Sequence, residues 1–172
     1  MLFKKLKADI AAAQANDPAA GNKLEIFLTY PGVRALSHHR LEHALYKLRF
    51  KFLAKCLSGH TRRITGVEIH PAAQIAAGVF IDHGMGVVIG ETAKIGTGTV
   101  LYQGVTLGGT GKQKGKRHPT VGEHCQIGAG AKILGNITIG NHAKIGAGAV
   151  VLKSVPPYTT VVGVPAKPVK RI

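Results

Sequence analysis

The chain has 172 residues, 45% of them apolar, and 23 lysines and arginines against 8 acids give a formal charge of +15. That length fits one domain, or one domain with a small attachment, and the apolar content excludes wholesale disorder. No apolar run approaches the roughly 18 residues of a membrane span, and two cysteines, Cys56 and Cys125, make no disulfide framework, so the expectation is a reduced, cytoplasmic protein.

The positive charge calls for an anionic partner without choosing between nucleic acid, an anionic membrane and a phosphorylated ligand. Neither half is a basic tail: residues 1–66 hold 12 cations and 4 acids, and residues 67–172 hold 11 and 4. Glycine divides the chain more sharply, with 4 of 23 before residue 67 and 19 after it.

Residues 1–66 read as a helical region. Leu2, Leu6, Ile10 and Ala13 recur at helical spacing until Asn16-Asp17-Pro18, where Asp17 followed by Pro18 also suits the cap of a next helix. Pro31-Gly32 marks a turn. Leu41, Leu45, Leu48 and Phe52 then predict one apolar stripe ending at Ser58-Gly59, with Arg40, Lys47, Arg49, Lys51 and Lys55 on a solvated opposite face.

From Ile69 a period of six takes over. The anchors are Ile69, Ile75 and Ile81, then Ile89, Ile95, Leu101 and Leu107, then Val121, Ile127, Ile133, Ile139, Ile145 and Val151. The fourth residue after an anchor is small or modest, as at Ala73, Ala93, Thr99, Cys125, Ala131 and Ala143. Neither a helix nor a hairpin has this period, whereas a parallel β-helix of hexapeptide repeats does. Thirteen units at three per coil make about four coils, enough for a continuous core. The expected layout is an all-β solenoid over residues 67–155 with an extruded loop at 108–120, a helical part at 1–66 and a tail at 156–172. Cys125 falls at a small inward position and reads as packing.

Two breaks interrupt the repeat, around Asp82-His83-Gly84-Met85-Gly86 and in the 108–120 loop, where Lys112, Lys114, Lys116 and Arg117 stand beside His118. Neither a Walker loop nor an intact G-x-G-x-x-G is present. Acids are rare after residue 66: Glu68, Asp82, Glu91 and Glu123. Glu68 and His83 lie 15 residues apart, close to one 18-residue coil, which would bring a carboxylate beside an imidazole as a general-base pair. The plainer alternative is that His83 only hydrogen-bonds a turn.

Residues 17–172 resemble the bacterial serine O-acetyltransferases. The resemblance rests on Glu68-Ile-His-Pro-Ala-Ala, Ile81-Asp-His-Gly-Met-Gly, Ile89-Gly-Glu-Thr-Ala, Gln103-Gly-Val-Thr-Leu-Gly-Gly-Thr-Gly-Lys, Arg117-His-Pro, Ile127-Gly-Ala-Gly-Ala-Lys-Ile-Leu-Gly-Asn and Gly163-Val-Pro-Ala. It implies a left-handed β-helix and acetyl transfer from acetyl-CoA to the hydroxyl of L-serine, the first step of cysteine biosynthesis, with no metal required. It implies His83 as general base with Glu68, where the family usually has Asp, as its partner. Asp17 and Asp82 would hold the substrate ammonium group, Arg117 its carboxylate, and His118 would hydrogen-bond nearby. Gly109, Thr110, Ala129 and Ala147 would line the acetyl-CoA site, with Lys144 and Lys167 facing its phosphates.

The same resemblance implies a homotrimer with sites between neighbouring coils, or a dimer of trimers. It also implies feedback inhibition by cysteine and docking of Ile172 into cysteine synthase. Three rival readings stay open at this stage. They are acyl transfer to another hydroxyl or amine, a γ-type carbonic anhydrase using zinc on His83, His118 and His124, and a nucleic-acid module built on the basic helix 34–57.

Overall fold

A computed structural model of the chain describes residues 2–169. Four helices come first: α1 (Leu2–Asn16), α2 (Lys23–Thr29), α3 (Pro31–Lys47) and α4 (Lys51–Thr65). Asp17 caps no helix. Its Oδ1 accepts from the Ala19 N–H at 2.8 Å, closing a turn, and Asn22 caps α2 instead by accepting from the N–H groups of Leu24 and Glu25 at 3.0 Å each.

The stripe read from Leu41 to Phe52 is corrected by the structure in two ways. Arg49, at φ +71°, breaks the chain between α3 and α4, and α4 runs through Ser58-Gly59 to a left-handed cap at Gly66. The stripe also points outward, with Leu41 52%, Leu48 66% and Phe52 83% exposed.

What α3 buries instead is Val33, Ala35 and Leu36 together with His39, Arg40 and Glu42. Arg40 is therefore no member of a solvated face. Its guanidinium reaches the Ile75 carbonyl, the Ala76 carbonyl at 2.7 Å and Asp9 at 3.2 Å, while Asp9 accepts from the Gly78 N–H at 2.8 Å. The physical reason is that covering the open end of the first coil buries backbone carbonyls that no preceding coil pairs, and a guanidinium supplies several donors at once. Burial pushes the Asp9 carboxyl up, and the Arg40 charge opposes that shift.

The coil then winds through β1 (Glu68–Ile69), β2 (Gln74–Ile75), β3 (Phe80–Ile81), β4 (Val88–Ile89), β5 (Lys94–Ile95), β6 (Val100–Leu101) and β7 (Thr106–Gly108). It continues through β8 (Thr120–Val121), β9 (Gln126–Ile127), β10 (Lys132–Leu134), β11 (Thr138–Ile139), β12 (Lys144–Ile145) and β13 (Val150–Val151), followed by β14 (Thr160–Val162) and β15 (Lys167–Pro168). These strands form three faces of a left-handed parallel β-helix. Sheet A is β1-β4-β7-β10-β13, sheet B is β2-β5-β8-β11, and sheet C is β3-β6-β9-β12-β14-β15.

Each anchor stacks on an anchor. Ile69 pairs with Ile89, Ile89 with Leu107, Leu107 with Ile133 and Ile133 with Val151. All thirteen anchors are buried, and Ala73, Ala93, Thr99, Cys125, Ala131 and Ala143 fill the space between them. The long loop leaves this register intact, since Lys94 still pairs with Thr120.

Residues past 155 finish the stack. β14 extends sheet C in parallel and β15 folds back on it antiparallel. The carbonyl of Gly163 and the N–H of Ala166 bond the outer edge of Val150, and Val155 bridges Ile139 at the end of sheet B.

Candidate functional site

The coil has three corners, and sheet A is bordered by two of them. Strands of sheet A are entered from a corner that includes Asp82-His83, Ala129 and Ala147. They leave toward a corner that includes His70, Glu91 and the 109–118 loop.

The entry corner is shaped from the helices. Gly32, at the start of α3, lies so close to β3 that a Cβ there would collide with the Ile81 carbonyl oxygen. This contact seats the α2–α3 junction beside the Asp82-His83 turn, and Tyr30 at that junction donates its hydroxyl to Asp17 Oδ2 at 2.5 Å. The Tyr30 hydroxyl, helped by the Ala19 N–H, holds the Asp17 carboxyl below its usual range, and the nearby His83 adds to the effect. Asp17 in turn pushes the Tyr30 phenol up to about 12, so Tyr30 stays a donor and Asp17 an anion. Tyr30 carries no signal in the sequence, because a loop tyrosine 13 residues from its partner belongs to no period or motif.

His83 sits at φ +56° on the turn, its side chain 74% exposed and its Nε2 3.8 Å from Asp82 Oδ2. Among the described residues no hydrogen bond or ion pair joins it to Glu68. The Glu68 Oε2 accepts from Arg62 Nη1 of α4 at 3.0 Å. The sequence spacing brings the two residues to the same border of sheet A, but the carboxylate is taken by Arg62.

The exit corner is cationic and better packed. Arg117 Nη2 donates to Glu91 Oε2 at 2.5 Å, and that guanidinium holds the Glu91 carboxyl below its ordinary value. His118 is buried against Gly90, where any Cβ would run into the imidazole. Burial first, and then the Arg117 charge, hold the His118 imidazole below its ordinary value, which favours the neutral ring. Lys116 is tied down by its Nζ donating to the carbonyls of Thr92 at 2.7 Å and Pro119 at 3.2 Å. A cavity of about 480 Å³ opens beside Arg117, lined also by Glu91, Lys112 and Lys114.

The remaining expected residues divide along the same line. Gly109 and Thr110 follow β7 into the exit-corner loop, Gly109 against Arg117 and Thr110 near Gly135. Ala129 and Ala147 stand at the entry corner, while Lys144 opens β12 and Lys167 lies in β15, both exposed on sheet C. Within one chain, then, Asp17, Asp82, His83, Ala129 and Ala147 share one border of sheet A, and Gly109, Thr110, Arg117 and His118 share the other. His83, His118 and His124 occupy three different corners, so one chain does not gather them around an ion. His124 instead stacks on His142 at 5.1 Å between ring centroids, and His142 on Tyr158 at 4.8 Å.

An anion beside an imidazole on one border, and a guanidinium beside an imidazole on the other, suit a zwitterion and an acyl-transfer reaction. The bacterial transferase hexapeptide family (six repeats) matches residues 118–153. The chain is 57% identical over 169 residues to the serine acetyltransferase of Bacillus pumilus, covering 98% of this chain and 78% of that one. The solved serine acetyltransferase of Neisseria gonorrhoeae superposes with a TM-score of 0.96 at 48% identity, covering 98% of this chain and 66% of that one. A solved serine acetyltransferase in complex with CoA gives a TM-score of 0.93 at 45% identity, covering 98% of this chain and 70% of that one.

Proposed function

Since the chain belongs to the serine acetyltransferases, we propose that it transfers the acetyl group of acetyl-CoA to the hydroxyl of L-serine, with His83 as general base. The products are O-acetyl-L-serine and CoA, in the first step of cysteine biosynthesis. The observation that carries the residue roles is the facing pair of sheet A borders, acidic with His83 on one side and cationic with His118 on the other.

The serine zwitterion lies with its ammonium group against Asp17 and Asp82 and its carboxylate against Arg117. His83 removes the hydroxyl proton as the oxygen attacks the thioester carbonyl. The tetrahedral intermediate then expels CoA as thiolate, which takes the proton back from the imidazolium. The proposed steps use no metal. A carboxylate beside the imidazolium stabilises it. Asp82 stands within ion-pair range, and Glu68 reaches it by leaving Arg62, an exposed pair of the kind worth only about 0–1 kcal/mol. The pantetheine arm runs past Ala129 and Ala147 on one side and Gly109 and Thr110 on the other, where small side chains admit close approach. Lys144 and Lys167 meet the phosphates.

One chain holds the two borders on opposite sides of sheet A, so each site takes His83 from one copy and Arg117 and His118 from the next. A homotrimer ring gives every copy both neighbours. It also covers His83, whose exposure in a single copy leaves it open to water. The proposed setting is the cytoplasm; among the described residues no helix is long and apolar enough to cross a membrane. The proposed contact with cysteine synthase falls on Ile172, which lies outside the described residues.

The test is CoA release from acetyl-CoA with L-serine, L-homoserine and other acceptors, with His83→Ala alongside. Serine-dependent release that falls about 10²–10⁴-fold in the variant is expected. Release with a different acceptor only would replace serine, and a fully active variant would remove His83 as base.

A further inference from the structure

Resting on the acetyltransferase reading, we propose that Thr92 is a positioning residue that presents His118 to the substrate as an Nε2–H hydrogen-bond donor and sets Arg117 beside it. Thr92 sits on the turn after β4, one coil away from the segment it holds. Its Oγ1 accepts from the backbone N–H of Arg117 and of His118, each at 3.0 Å. Two acceptances fill the lone pairs of a hydroxyl, so its own proton is free to point elsewhere. The His118 Nδ1 is 2.9 Å from that oxygen and 3.2 Å from the Thr92 backbone nitrogen.

A backbone N–H can only donate. Nδ1 therefore accepts from the Thr92 N–H, and the remaining hydroxyl proton of Thr92 points at the same lone pair. The ring proton is left on Nε2. This count leaves one consistent tautomer: His118 offers a donor to the site and holds no free ring nitrogen to act as a second base.

The neighbouring contacts support this positioning. The Thr92 carbonyl accepts from Lys116 Nζ, and Glu91, the preceding residue, holds the Arg117 guanidinium. The two-residue turn Glu91-Thr92 thus fixes three consecutive loop residues, Lys116, Arg117 and His118. A substrate oxygen, either of the serine carboxylate or of the thioester carbonyl as charge builds on it, is the acceptor such an N–H fits.

The experiment has two arms on the intact protein. Nitrogen NMR with ¹⁵N-labelled histidine should show His118 with Nε2 protonated and Nδ1 as acceptor; a protonated Nδ1 would overturn the proposal, and this readout needs no variant to fold. Thr92→Val, which removes the hydroxyl and keeps the shape, should lower kcat/KM for serine about 10²-fold, the scale of a small misplacement of a positioned group, with the KM for acetyl-CoA unchanged. Thr92→Ser should restore most of the loss, and the pH profile of the variant should keep the shape of the wild type's. Equal loss in Thr92→Val and Thr92→Ser, or none in Thr92→Val, would sink the idea. Wild type inactive toward serine would overturn the acetyltransferase reading while the NMR result stood on its own.

Discussion

The coil and the helical part of the molecule are held together by opposite means. The coil buries one aliphatic anchor per strand with almost nothing polar among them, and its only demand on the sequence is repetition. The helices bury Asp9, His39, Arg40, Glu42 and Thr61, and leave Leu48, Phe50 and Phe52 outside. Glu42 and Thr61 join α3 to α4 at 2.5 Å, and His39 and Arg40 tie α3 to the coil through the carbonyls of residues 73, 75 and 76. The contrast teaches that the open end of a coil presents unpaired backbone carbonyls as well as apolar side chains, so the helices add buried hydrogen bonds to the apolar contacts that Ala35, Leu36 and Val33 make with it.

The largest effect should come from breaking that polar attachment. Arg40→Ala takes from buried Asp9 its counter-charge and from two carbonyls their donor, and should cost about 3–5 kcal/mol in urea unfolding. A loss below about 1 kcal/mol would mean that the apolar contacts carry the attachment without help from the polar ones. In the coil, Ile133→Ala should cost about 2–5 kcal/mol with no polar group involved, because a cavity opens among fully buried neighbours. Unlike Arg40→Ala, it should leave the pH dependence of stability unchanged.

That pH dependence is the third and smallest difference. Burial pushes the His39 imidazole down to about 3. Between that value and the ordinary 6.5 the unfolded chain binds a proton that the folded chain does not. Stability is therefore lost as pH falls through this window and is fully present above it. Between pH 7 and pH 5 the loss from His39 should be about 2 kcal/mol, and His39→Gln should flatten it. Burial likewise lowers His38, His43, His70 and His118, which adds slope of the same sign.

The same contrast governs what the sequence discloses. The anchors from Ile69 to Val151 declare themselves because period six has one structural meaning, and the loop at 108–120 stands out as the departure from it. The helical part misleads because periodicity assumes that apolar residues face inward and charges outward. Arg40 and Phe52 do the reverse, and the break at Arg49 depends on a backbone angle that no spacing encodes. At the candidate site, the motifs single out Asp82, His83, Arg117 and His118. The contacts that orient them do not follow from motif or period. Tyr30 meets Asp17 from the far end of α2, Arg62 takes Glu68, and Thr92 reaches His118 across 26 residues, one coil lengthened by the eight inserted residues.

The way residues 155–168 finish the stack has a bearing on solubility. A coil of parallel strands ends in three open edges, and each repeats the pattern that the next coil would pair with, which makes a bare end a template for another molecule. Here Val155 occupies the end of sheet B, Gly163 and Ala166 bond Val150 on sheet A, and β15 lies antiparallel over sheet C with Pro168 opposite Val161. A reversed strand breaks the parallel pattern, and a proline offers no N–H for continuing it. At the other end the helices cover the first coil. A protein built by repeating one unit thereby avoids growing into a fibre of itself.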